Sequence, residues 1–105
     1  MNFSVYYPKD IETARLEKRA ILVDIRSREE FREDHWKGAV NFPEEEITDY
    51  TRVLSKNRTI ILYCQHGGSS MQLARTLGKL EYSVGTVVGG YEAMKKVTES
   101  YFKNQ

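Results

Sequence analysis

The sequence predicts an α/β fold: a central parallel sheet of about five strands with helices on both faces. Three observations predict it. Strand-sized apolar segments alternate with helical ones along the chain, with no long linker, repeat or low-complexity stretch. The two most apolar segments, residues 20–25 and 59–63, are near-continuous runs, as expected of strands covered on both faces. Their spacing, with a helical segment between successive strands, is that of βαβ units and not of hairpins.

Taken in order, residues 3–6 form a short edge strand. Residues 8–18 read as a first helix, with Pro8 suited to its first turn and Ile11, Ala14 and Leu16 as its apolar side. Residues 20–25 are a buried strand. Ser27 and Glu30 have capping-box spacing and start a short helix carrying Phe31. Residues 38–41 form a short strand or extended link. From 44 to 54, Ile47, Tyr50 and Leu54 mark one helical face, and Glu44, Glu45 and Glu46 are its exposed first turn, where the helix dipole favours acids. Residues 59–63 are the central strand. Residues 69–82 make the strongest helix, with Leu73, Leu77 and Leu80 on one side. Residues 84–88 are another strand, Gly89-Gly90 a turn, and 91–98 the last helix. Residues 1–105 read as a single domain, near the modal domain size.

Composition narrows the function. The 16 Lys and Arg are interleaved with 15 Asp and Glu for a net charge of +1, which argues against a nucleic-acid partner. No apolar run approaches the ~20 residues that span a bilayer, so no membrane role is expected. Residues 1–8 lack the basic segment and apolar core of an export signal, and a lone cysteine forms no internal disulfide. Cytoplasmic location is the expectation. His35 beside Trp36 has no second His or Cys at ligand spacing, so no metal is expected and His35 reads as a turn anchor.

The lone cysteine, Cys64, ends the apolar run 59–63. Gln65-His66-Gly67-Gly68-Ser69-Ser70 follows, and then a helix. A cysteine after a buried strand is usually a small core residue. Three neighbours argue otherwise here. Gly67 and Gly68 let successive N–H groups turn inward, Ser69 or Ser70 is placed to cap the next helix, and that helix directs its N-terminal dipole into the loop. Amides and a helix N-terminus of this kind favour thiolate over thiol and make a nucleophile. Cys64 and Asp24 both stand at strand carboxyl ends, where ligands gather in parallel sheets. His66 either partners a sulfur donor or projects into solvent. Asp24 and Arg26 read as an ion pair or loop anchor beside the site.

Several separated segments resemble the rhodanese homology domain, in the right order and over almost the whole chain. They are Leu22-Val23-Asp24-Ile25-Arg26, Glu30-Phe31, the run from His35 to Pro43 (His-Trp-Lys-Gly-Ala-Val-Asn-Phe-Pro), Cys64 with its loop, and Gly89-Gly90-Tyr91-Glu92-Ala93. The loop is most similar to that of single-domain thiosulfate sulfurtransferases. The resemblance implies a rhodanese-like α/β domain in which Cys64 carries sulfane sulfur as a persulfide. It also implies that residues Gln65, His66, Gly67, Gly68, Ser69 and Ser70 bind the substrate. Thiosulfate or a persulfide would be the donor, and cyanide, a thiol or a protein cysteine the acceptor. Neither metal nor organic cofactor is implied. Three positions depart from the family pattern: Ser69 stands where many loops carry Arg, Asp34 where a glycine precedes the His, and Met94 where a tryptophan follows the Gly-Gly turn. The sequence leaves two other readings open. One is a non-catalytic persulfide carrier or interaction module for a specific partner. The other is a phosphatase or arsenate reductase, which would need Arg at position 70, where this chain has Ser70.

Overall fold

The computed structural model describes residues 2–103. Its strands are β1 (Ser4–Tyr6), β2 (Ile21–Asp24), β3 (Val40–Asn41), β4 (Ile60–Tyr63) and β5 (Val84–Val87). Its helices are α1 (Ile11–Lys18), α2 (Arg28–Glu33), α3 (Gly68–Lys79) and α4 (Gly90–Lys103). All strand pairs are parallel, in the order β1-β5-β4-β2-β3, so the expected five-strand sheet is present.

Side chains of β4 and of Cys64, which follows it, alternate between two cores. Ile60, Leu62 and Cys64 face a cluster with Val23, Ile25, Tyr50, Leu54, Ala74 and Leu77, beneath α3. Ile61 and Tyr63 face the other cluster, with Ile11, Ala14, Leu22, Tyr91 and Met94 from α1, β2 and α4. A strand buried on both faces has no polar side to show, which is why its sequence is uninterrupted. Met94 is fully buried, so its departure from the family tryptophan is a packing exchange. Fully burying each such aliphatic side chain contributes about 1.5–3 kcal/mol.

Four expectations are corrected. The first helix is split: Pro8–Asp10 is a 3-10 turn and α1 starts at Ile11. Leu16 is 76% exposed, so only Ile11 and Ala14 carry that helix's buried side. Residues 44–54 are not a helix. The Glu46 and Ile47 amides both donate to the Pro43 carbonyl, closing one turn. A separate 3-10 turn follows at Tyr50–Arg52, with the Asp49 carboxylate accepting from the Thr51 amide. That side-chain bond competes with a continuing helix. Tyr50 and Leu54 still reach the core, so the apolar spacing was real and the helix inferred from it was not. Finally, α3 stops at Lys79, because Glu81 takes a left-handed φ of 69° and the Tyr82 amide donates back to Leu77. Its buried side is Ser70, Ala74, Leu77 and Gly78, whereas Leu80 is 46% exposed. Ser70 and Ala74 let α3 sit close to the sheet, and Gly78 admits the Asn2 carbonyl; the leucine spacing alone concealed that.

The order of strands positions the site. From β2 the chain moves outward to β3, whereas from β4 it moves the other way to β5. The loops leaving β2 and β4 therefore diverge and open a crevice at their carboxyl ends.

Candidate active site

That crevice has a volume of about 350 Å3. Ile25, Arg26, Ser27 and Glu30 line it from the β2 side, Cys64, Gln65, His66, Gly68 and Ser69 from the β4 side, and Glu44 and Glu45 from the turn after β3. Cys64 is 7% exposed, and the little surface it keeps belongs to this cleft.

The Cys64 sulfur is held by backbone donors. The Gly67 amide lies 3.1 Å from Sγ and the Ser70 amide 3.3 Å. Gly67 is the N-cap residue of α3, and no side chain caps that helix. The sulfur thus takes the place a serine or aspartate oxygen fills at an ordinary N-cap, accepting from the third residue of the helix. The expected capping by Ser69 or Ser70 is corrected accordingly. A negative charge at this place gains from the helix dipole, by about 0.3–2 kcal/mol. Ser70 is buried and has a different role. Its Oγ lies 3.4 Å from Sγ and donates to the Gly67 carbonyl at 3.3 Å, while the Thr86 hydroxyl donates to it at 2.7 Å. Hydroxyl hydrogens rotate, so Ser70 accepts from a thiol and is free to donate to a thiolate.

Two carbonyls of the loop are turned away from these donors. The Cys64 carbonyl accepts from the Tyr91 amide at 2.8 Å, and the Gln65 carbonyl from the Glu92 amide at 3.1 Å. Both donors belong to the first turn of α4. Gly90 makes the approach possible, since a Cβ there would fall 2.5 Å from the Cys64 carbonyl oxygen. Gly67 has φ +103°, a conformation L side chains rarely adopt. Gly68 differs: its φ is not positive, and an added Cβ would meet nothing within 4 Å. Only one of the loop's two glycines is sterically demanded.

Asp24 and Arg26 form a buried pair on the β2 side of the cleft. Arg26 Nη2 and Nε donate to the fully buried Asp24 carboxylate at 2.8 and 3.1 Å, and the Arg26 amide donates to it as well. Arg26 Nη1 donates to Gln65 Oε1 at 3.0 Å and Nη2 to the Asp34 carbonyl at 2.6 Å, and the guanidinium lies 4.3 Å over the Tyr91 ring. Burial works against its charge, but the hydrogen bonds and charge of Asp24 more than reverse this, so the Arg26 pKa is raised. Asp34 contributes a backbone carbonyl from extended geometry (φ −169°), which any residue adopts, so the family glycine is not required there.

The remaining residues divide between rim and support. His66 is exposed, and its Nδ1 lies 2.7 Å from the Glu92 carboxylate, so it lines the cleft without touching Sγ. His35 Nδ1–H donates to the Phe31 carbonyl and its ring stacks on Phe31, as a turn anchor would. Arg75 lies over the Phe3 ring, so it does not stand in for the arginine a phosphatase loop would need. Sequence reasoning missed Thr86, Tyr91 and the rim residues Glu30, Glu44 and Glu45 as parts of the site. Thr86 was legible only as a polar residue inside a buried strand. Glu44 and Glu45 closely follow β3, at a strand carboxyl end like that of Cys64.

Among the described residues no helix is long and apolar enough to cross a membrane. Residues 8–97 match the model of the rhodanese-like domain. Thiosulfate sulfurtransferase PspE of Escherichia coli (strain K12) is 34% identical over 79 residues, covering 71% of this chain and 76% of the relative. Thiosulfate sulfurtransferase GlpE of Coxiella burnetii (strain RSA 331 / Henzerling II) is 28% identical over 82 residues, covering 76% of this chain and 77% of the relative. A tRNA sulfurtransferase of Pyrobaculum aerophilum is 33% identical over 73 residues, which is 70% of this chain but 15% of that protein's length. Among solved structures, a rhodanese-related protein from Thermoplasma volcanium has the same fold, with a TM-score of 0.78 at 18% identity over 90% of this chain and 92% of that one. With its cysteine loop at the crevice and residues 8–97 matched by one family model, this chain belongs to the rhodanese-like domain family.

Proposed function

We propose that this protein is a sulfurtransferase that moves sulfane sulfur from thiosulfate or a persulfide to a thiophilic acceptor through a persulfide on Cys64. One observation carries the reading: the only cysteine in the chain faces an open cleft while two backbone amides and the N-terminus of α3 converge on its sulfur. In the first half-reaction the Cys64 thiolate attacks the outer sulfur of thiosulfate. A bond forms from Sγ to that sulfur, the sulfur–sulfur bond of the donor breaks, and sulfite leaves with the electron pair. In the second, cyanide or a thiolate attacks the terminal sulfur and Cys64 leaves as thiolate. This is covalent catalysis by an activated nucleophile, with the amides as a fixed electrostatic cradle. The Gly67 and Ser70 amides hold the sulfur. Ser69 and Gly68 line the donor's path, and Gln65 is a positioning residue, because its side-chain oxygen is engaged by Arg26. With no second cysteine in the chain, the persulfide discharges to an outside acceptor, in keeping with a reducing, cytoplasmic setting.

Cyanide-dependent thiocyanate formation tests the reading. Cys64→Ser is expected to abolish it, and retained activity removes Cys64 from the mechanism. Steady-state turnover separates the enzyme from a pure carrier: an enzyme cycles on thiosulfate and cyanide, whereas a carrier gains one sulfur atom in mass and stalls.

A further inference from the structure

The mouth of the cleft carries an unbalanced charge. Glu30, Glu44 and Glu45 all line it, and none of them forms an ion pair among the described residues. The lining holds one arginine, Arg26, and Asp24 neutralises it, while Gln65, the Asp34 carbonyl and the Tyr91 ring occupy its remaining faces. His66 already lies against the Glu92 carboxylate. Position 69, on the cleft wall, is a serine without charge. The floor of the site is therefore a pair of amide donors on the Cys64 sulfur, suited to a sulfur anion. Its rim is a triad of carboxylates, with no uncompensated cation among the described residues that line it.

Resting on the sulfur-transfer reading, we infer that Glu30, Glu44 and Glu45 are specificity determinants, and that they favour a thiol acceptor carrying a cationic group beside its sulfur. An acceptor thiolate must pass the rim to reach the terminal sulfur of the Cys64 persulfide. It attacks that sulfur, the bond to Sγ breaks, Cys64 departs as thiolate, and the acceptor leaves as its persulfide, with no net oxidation or reduction. An ammonium group near the acceptor sulfur is attracted by the rim during this passage, and a carboxylate is repelled. For three charges acting across roughly 8 Å of water, with salt screening about half of the effect, the discrimination between cation and anion is about tenfold.

The test uses the full chain loaded with sulfur by excess thiosulfate, then freed of donor by gel filtration. Unloading is followed by mass for three thiols of similar size: cysteamine, 2-mercaptoethanol and 3-mercaptopropionate. Rates are expressed per thiolate and divided by the rate of the same thiolate with a small neutral disulfide, which removes the lower intrinsic nucleophilicity of cysteamine, the most acidic of the three thiols. The expected normalised ratio of cysteamine to 3-mercaptopropionate is about tenfold at about 0.1 M salt. It should fall to about twofold in Glu44→Gln/Glu45→Gln, whose exposed side chains can change without loss of a core contact. Glu30→Gln, which keeps the capping geometry, should lower it in part. A ratio identical in the wild type and in both variants overturns the inference while leaving sulfur transfer intact. Failure of Cys64 to gain one sulfur atom in mass overturns the sulfur-transfer reading itself.

Discussion

Replacing Gly67 with alanine tests the site at the point where geometry and chemistry meet. At φ +103° the residue lies beyond the left-handed well that L residues tolerate, and holding alanine there costs about 1–3 kcal/mol. The new Cβ would stand 3.1 Å from the Gly89 nitrogen, backbone that the Tyr91 and Glu92 hydrogen bonds keep in place. The loop relieves the strain most easily by rotating the 66–67 peptide, which takes the 3.1 Å amide away from the Cys64 sulfur. Loss of one hydrogen bond to a charged group is worth about 1.5–3 kcal/mol. At about 1.36 kcal/mol per decade of rate, persulfide formation should slow by roughly ten- to a hundredfold. The assay is single-turnover loading from thiosulfate, read as the gain of one sulfur atom in mass, beside a thermal melt. Gly68→Ala is the matched control: its Cβ meets no atom within 4 Å, so loading should stay within about threefold of wild type and stability should hold or rise slightly. Equal rates in Gly67→Ala and wild type would refute the claim that the amide at 67 holds the nucleophile.

Other expected outcomes follow from the same structure. Arg26→Leu leaves the Asp24 carboxylate fully buried without its partner and should cost about 3–5 kcal/mol in urea unfolding, and Arg26→Lys should recover little because a lysine cannot reproduce the fork. Ser69→Arg places a cation on the cleft wall and should lower the apparent KM for thiosulfate, and an unchanged or higher KM counts against electrostatic control of donor binding. Glu81→Gly removes an L residue from the left-handed C-terminal turn of α3 and should stabilise the fold by about 1 kcal/mol, measured by chemical denaturation. Burial raises the pKa values of Tyr50, Tyr63 and Tyr91, and for Tyr91 the Asp34 side chain adds to it. Below pH ~10 the phenols are neutral in both states and their contribution is whole; above it only the unfolded chain ionises, so stability should fall as pH rises further. Denaturation midpoints that stay constant well above pH ~10, beside a spectrophotometric tyrosine titration, would contradict that burial.

How much of this was legible in the sequence depends on whether the signal was local. The strands were legible because burial on both faces leaves an uninterrupted apolar run, as in Ile60-Ile61-Leu62-Tyr63. Ser27 and Glu30 were legible because a capping box is a four-residue device, and both of its bonds are present. Segment 44–54 was misread because Ile47, Tyr50 and Leu54 reach one core through separate turns, and a spacing list cannot distinguish that from a helix. The end of α3 was overrun because Glu81 adopts a conformation that normally advertises itself as glycine. In the site, Cys64 and its loop were visible as a contiguous motif. The rim was not, because Glu30, Glu44 and Glu45 come from segments that meet only where the chain diverges on either side of β2 and β4.

A loop of this kind has as many carbonyls as amides, so it offers a sulfur anion a net attraction only if something else takes the carbonyls. Here the two helices divide that work. The N-terminus of α3 meets the sulfur directly, through the Ser70 amide. The N-terminus of α4 never reaches it. Its Tyr91 and Glu92 amides bind the carbonyls of Cys64 and Gln65, so those two oxygens are held on α4 and the N–H groups of the same trans peptides point away from it. The Gly89-Gly90 turn thus belongs to the environment of the Cys64 sulfur although it lies far from Cys64 in sequence, beyond α3 and β5. A Cβ at position 90 would press on the Cys64 carbonyl oxygen, so its effect would reach the sulfur by moving the loop and not by touching the cleft. The same logic explains why Arg26 is no substrate cation: its charge is already used to fix Asp24, Gln65 and Tyr91 around the loop's far side, which leaves the orientation of amides as the site's own source of positive potential.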